Sequence, residues 1–138
     1  AIPMHYETSF AWSGADEHGD IALKALQLPT GSPSDSDRLD PEHMLLGAAE
    51  ICLFNTFAAI AANSNLTIVS YSSSASGELS FTKGEGYRFE SITVKAKVTV
   101  AEADLRKAER ILEKSHSACL ITRSLGCESA MEAEWVTQ

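Results

Sequence analysis

Three cysteines carry most of the chemistry this chain can offer. A cysteine is a nucleophile only as its thiolate, so at each one the question is which cation or helix N-terminus could lower its pKa. Cys52 stands among Ala48, Ala49, Leu53 and Thr56 with no local activator, a setting in which cysteine commonly serves as a small buried hydrophobe. Cys119 has His116 three residues before it and Arg123 four after it, spacings that share a face if the segment is helical, and a nearby cation favours thiolate. A structural Cys119 fits the same pattern, and both readings stay open. Cys127, directly after Gly126 at the start of a strand-like run, reads as structural.

The element that must position Cys52 is a helix running from Asp40 to Asn63. Asp40 can cap the free amides, Pro41 suits the first helical position, and Glu42 complements the positive end of the helix dipole. From Met44 to Ala62 apolar residues run almost all the way round, which predicts burial on nearly every side. The segment is long enough to span a membrane, but Glu50 and Asn55 inside it favour a buried helix of a soluble protein.

Around this helix the period alternates between two and 3.6. Met4 to Trp12 and Ile21 to Leu28 read as a hairpin joined by the turn 13–20, and 29–37 as an exposed polar loop. Leu66 to Phe81 and Arg88 to Val100 read as a second, longer hairpin. Glu102 to Ser117 is an amphipathic helix with Leu105, Ala108, Ile111 and Leu112 on one stripe, 118–126 a short helical segment, and Cys127 to Val136 a last strand. The sum is one α+β domain over residues 1–138, with antiparallel sheet curled around a long buried central helix. A sheet covers only one side of such a helix, so the opposite apolar side calls for a second copy, and a two-fold homodimer around paired central helices is expected.

Composition narrows the function. A net charge of -8 leaves no basic surface for phosphates, so nucleic acid is not an expected partner. Three unpatterned cysteines do not resemble a secreted disulfide framework, and with no signal-like start a cytoplasmic location is expected, with no membrane partner.

The run Asp40-Pro41-Glu42 through Cys52 resembles the OsmC/Ohr family motif, osmotically inducible protein C and organic hydroperoxide resistance protein, in which Asn-Pro-Glu opens a central helix and a cysteine follows ten residues after the glutamate. The run Cys119-Leu120-Ile121-Thr122 is similar to the family's second cysteine motif, Cys-Pro-x-Ser. The order of elements across almost the whole chain and the expected intertwined two-fold dimer match as well. The resemblance implies a cysteine-based peroxidase of organic hydroperoxide reductase type, an antioxidant enzyme of the oxidative stress response. Cys52 would attack the peroxide and become a sulfenic acid, and Cys119 would resolve it as a Cys52–Cys119 disulfide. An external dithiol or a lipoylated protein would reduce that disulfide, with no bound cofactor and no metal.

The family also pairs a glutamate with an arginine beside the reactive cysteine. Glu42 matches the glutamate, although ten helical residues amount to about 15 Å of rise. Arg38, four residues ahead of Glu42, is the arginine that can match. The chain departs from the family pattern at that arginine, at the missing proline after Cys119 and at Thr122 in place of serine. The alternative reading is a non-catalytic OsmC-like dimer that binds a small apolar ligand, with both cysteines as packing residues.

Overall fold

A computed structural model describes residues 2–138 as two compact units, one running to Leu45 and the other Leu46–Gln138. The first holds an antiparallel sheet of three strands in the order β1 (Ser9–Trp12), β2 (Gly19–Leu23), β3 (Leu26–Thr30). The single strand expected over 21–28 is therefore two strands folded on each other at Lys24, whose φ of 58° lies in the left-handed region. Two-residue hairpin turns usually advertise themselves with Gly or Asn, and Lys24-Ala25 carries neither.

Helix α1 (Pro41–Asn63) links the two units. Its start is built as its residues dictate: the His43 amide donates to Asp40 Oδ2 at 2.9 Å and the Met44 amide to the Asp40 carbonyl at 3.1 Å. Its end is a Schellman closure, with Asn65 in the left-handed region at φ 55° and the Leu66 amide donating to the Ala61 carbonyl at 2.8 Å.

The second unit carries a sheet ordered β4 (Ser70–Thr82), β5 (Gly86–Val100), β6 (Glu128–Thr137). β4 and β5 pair antiparallel, but β6 runs parallel to β5, with Ser91 opposite Glu128 and Val100 opposite Thr137. The antiparallel expectation fails for this strand because of what precedes it. A single 3-10 turn, Glu102–Asp104, leads into α2 (Leu105–Ala118) and then α3 (Leu120–Arg123), and this helical crossover lets the chain re-enter the sheet in the direction of β5.

Alternation sorts the sheet into a dry and a wet face. Ile92, Val94, Ala96, Val98 and Val100 of β5 are buried, while Lys95 and Lys97 point the other way and Lys97 pairs with Glu134 at 3.5 Å on the polar side. Helix α1 lies on the dry face: Glu50 accepts a 2.7 Å hydrogen bond from Ser73, and Phe54 and Phe57 pack on the Tyr71 ring at centroid separations of 4.9 and 6.0 Å. Helix α2 buries Ala108, Ile111, Leu112 and Ser115, and His116 reaches Ser129 of β6 at 3.1 Å.

Helix α1 is apolar all round, yet only one stripe of it is covered, Ala49, Leu53, Phe57 and Ala61 at four-residue spacing. On the far side Ile51 is 63% exposed, and Phe54, at the edge of the covered side against Tyr71, is still 38% exposed. Its length and apolar composition are those of a membrane span; Glu50 inside it is engaged by Ser73, and the buried stripe packs into the core of the second unit. The α+β expectation thus holds, with two small sheets and a long apolar helix.

Candidate functional site

Cys52 projects from the rim of α1, between the covered stripe and the open side, and is half-buried. The helix fixes its direction. One turn on, the Thr56 hydroxyl donates to the Cys52 carbonyl at 2.8 Å, which also brings that hydroxyl beside the thiol.

Cys119 arrives from a different kind of backbone. It closes α2 and opens α3 in an extended conformation, φ -61° and ψ 111°, and is 1% exposed. The helical spacing that would have set His116 and Arg123 on its face is broken at this residue. The His116 ring turns to Ser129 and Arg123 is exposed, so neither cation serves Cys119. The break supplies something else. As the residue before α3, Cys119 accepts the Arg123 amide on its carbonyl at 3.0 Å, while the Ile121 and Thr122 amides belong to the first turn, where no helical acceptor exists.

These elements bring the two thiols, both free, near enough for each to act on the other's acidity. Their environments push them apart. Burial raises the Cys52 thiol first, and a hydrogen bond and charge from Cys119 raise it further; the Ile121 amide and the Thr56 hydroxyl oppose this without overcoming it. Burial also pushes Cys119 up, but the Thr122 hydroxyl and amide, the Cys52 thiol and the Ile121 amide together bring it below the ordinary thiol value. None of the groups acting on either sulfur is a cation.

The other two expected site residues lie in the first unit. Glu42, half-buried in the first turn of α1, has a buried Oε1 with no hydrogen-bond partner. Arg38 donates to the Thr30 carbonyl at 3.1 Å, and among the described residues no ion pair joins it to Glu42. Arg38 lines a cleft of about 640 Å³ with Leu28, Pro29, Leu39, Asp40 and His43.

Sequence reasoning did not find the Asp40–His43 pair in this cleft. Besides capping, Asp40 sits 2.8 Å from His43 Nδ1, and the His43 amide first, then its ring, hold the Asp40 carboxyl below its usual range. The capping signal was present, but a histidine at the third helical position has no signature of its own. Among the described residues no group of three or more His, Cys, Asp or Glu side chains is placed to hold a metal ion.

Known proteins share this arrangement of elements. The chain is 27% identical over 116 residues to the uncharacterized protein YmaD of Bacillus subtilis (strain 168), covering 81% of this chain and 76% of that one. Among solved structures, an OsmC-like protein of unknown function from Vibrio cholerae superposes with a TM-score of 0.84 at 18% identity, covering 96% of this chain and all, 100%, of the other. An organic hydroperoxide resistance protein OsmC from Legionella pneumophila does so with a TM-score of 0.73 at 16% identity, over 96% and 98% of the two chains. The OsmC-like protein family model matches residues 34–134, a span that contains Glu42, Cys52 and Cys119, and the chain belongs to that family.

Proposed function

We propose that this protein is a thiol-dependent peroxidase that reduces organic hydroperoxides. The observation that carries the reading is the meeting of two free thiols from elements 67 positions apart, one half-exposed and one buried. Such a pair is what a sulfenic acid followed by a disulfide requires: Cys52, the more accessible, attacks the peroxide, and Cys119 condenses with it. Membership of a family that includes a protein named for organic hydroperoxide resistance supports the reading.

The working form is a homodimer. Ile51 leaves an apolar side of α1 facing water next to Cys52, and a second copy laid on it would wall the site and exclude water from the thiols. The buried Glu42 Oε1 without a partner fits a carboxylate whose cation arrives on assembly or with substrate, and Arg38 is the candidate. The disulfide is reopened by an external dithiol or a lipoylated protein, and free cysteines suit a reducing cytoplasm.

A second reading is the non-catalytic dimer holding a small apolar ligand, favoured by the upward shift of Cys52 and the lack of a cation acting on it. Hydroperoxide consumption by the reduced protein with a dithiol donor separates the two. The peroxidase reading expects consumption that Cys52→Ser abolishes completely; equal background consumption by both proteins would leave the binding reading.

A further inference from the structure

We propose that the hydrogen bond between His116 and Ser129 is a positioning contact for the thiol pair: it ties the end of α2 to the sheet and so holds Cys119 where it can close a disulfide with Cys52. The inference rests on the peroxidase reading and assigns the placement of its resolving cysteine to two residues outside the pair.

His116 acts on Cys119 through the backbone. It lies in the last turn of α2, and its carbonyl accepts the Cys119 amide at 3.3 Å, so a shift of this residue carries Cys119 with it. The His116 ring leaves the helix for the sheet, where Nε2 lies 3.1 Å from the Ser129 hydroxyl in a partly buried contact. Ser129 is a firm anchor. It is the second residue of β6 and stands in register with Ile92 of β5, which is fully buried.

Among the described residues no other polar contact from α2 reaches the sheet. The remaining side-chain hydrogen bond of this helix, from Ser115 to the Ile111 carbonyl at 2.6 Å, stays inside it, and no ion pair leaves it. What else holds α2 is the burial of Ala108, Ile111 and Leu112, and apolar burial is non-directional. It presses the helix down but tolerates small slides. A hydrogen bond weakens steeply with distance and angle, so the His116–Ser129 contact sets where the last turn stops. It also closes the 13-position segment between the two residues, which contains Cys119, α3 and the turn into β6.

Placement matters for the proposed resolution step. The Cys119 thiol attacks Cys52–SOH, an S–S bond forms, the S–O bond breaks and the hydroxyl leaves as water with the Cys119 proton. A disulfide admits only a narrow range of Cα separations and dihedral angles. Cys119 is 1% exposed, so the fold and not free motion in solvent must supply that geometry.

The test is two-phase thiol exchange of the reduced protein with dithionitrobenzoate, in a Cys127→Ser background that removes the third free thiol. The more accessible Cys52 takes the first half of the reagent and releases one thionitrobenzoate. Cys119 then attacks the Cys52 sulfur, an S–S bond forms, the second thionitrobenzoate leaves and the Cys119 proton goes to solvent. This closure phase is first-order and independent of reagent concentration, and mass spectrometry maps its product. Ser129→Ala should leave the first phase unchanged and slow closure by roughly 10- to 100-fold. Ser129→Thr, which keeps the hydroxyl, should restore it. Ile111→Val, which trims the apolar packing of the same helix, should lower stability to denaturant without slowing closure. Closure unchanged in Ser129→Ala, closure slowed as much by Ile111→Val, or no closure phase in the parent would each overturn the proposal. The readout needs no peroxide. A closure phase that responds as expected, together with Cys52 that stays unoxidised by cumene hydroperoxide, would keep the positioning contact and sink the peroxidase reading alone.

Discussion

The interior of α1 and the junction between α2 and α3 each deliver one sulfur to the same place, and the two settings differ in what the backbone has left to give. Inside α1 each amide is committed to the carbonyl four residues back, so Cys52 receives a fixed direction and an apolar wall but almost no donors. At the junction the helix is interrupted, and amides that a continuous helix would have consumed are left without a helical acceptor beside Cys119, whose acidity they raise. Access and acidity are thus divided: the half-exposed sulfur is the weaker acid, and the stronger acid is buried.

The largest effect that would break this comparison comes from Cys119→Ser. With hydroperoxide, the variant should complete one oxidation of Cys52 and then stall, accumulating sulfenic and overoxidised Cys52 by mass spectrometry in place of a disulfide. Sustained turnover equal to the parent would remove Cys119 from the cycle. Next in size is Phe57→Ala, on the covered stripe that holds Cys52 in register: a fully buried phenylalanine truncated to alanine should cost about 3–5 kcal/mol in denaturant unfolding. If it costs under about 1 kcal/mol, α1 is not anchored as described.

The two threonines sharpen the comparison. Thr122→Val should shift thiol titration more than Thr56→Val, since the Thr122 hydroxyl is the largest of the groups that lower Cys119 whereas Thr56 contributes least among the groups acting on Cys52. Absorbance of the thiolate against pH measures both, and the reverse order would mean that α1 controls the acidity. The smallest effect lies on the flank of α1 away from Cys52. Burial first, then the Glu50 charge, push the Tyr71 hydroxyl up to about 12, and that hydroxyl has no partner. An unfolded tyrosine loses its proton near pH 10 while the folded one keeps it, so stability should fall as pH rises from about 10 and level off near the folded value. Tyr71→Phe should flatten that slope in chemical unfolding without changing thiol titration.

Much of this was legible in the residues. The apolar circumference of 44–62 announced a helix needing two covered sides, and the chain covers one. Asp40-Pro41-Glu42 fixed where the helix begins, because cap chemistry is local. What the pattern could not reveal was non-local or lacked a side-chain signature. The hairpin at Lys24 has no turn residue, and the parallel course of β6 depends on the path of α2 and α3 over the sheet. At the site, family resemblance named Cys52 and Cys119, but spacing alone misjudged the activators. His116 and Arg123 were read on a helix that breaks at Cys119, and the amides freed by that break carry no letter in the sequence.

The most direct test of the account is oxidation of the reduced protein with one equivalent of cumene hydroperoxide, followed by mapping of the products. The account predicts a Cys52–Cys119 disulfide with Cys127 still free and cumyl alcohol released in equal amount. Full recovery of the three reduced thiols, or oxidation confined to Cys127, would contradict it.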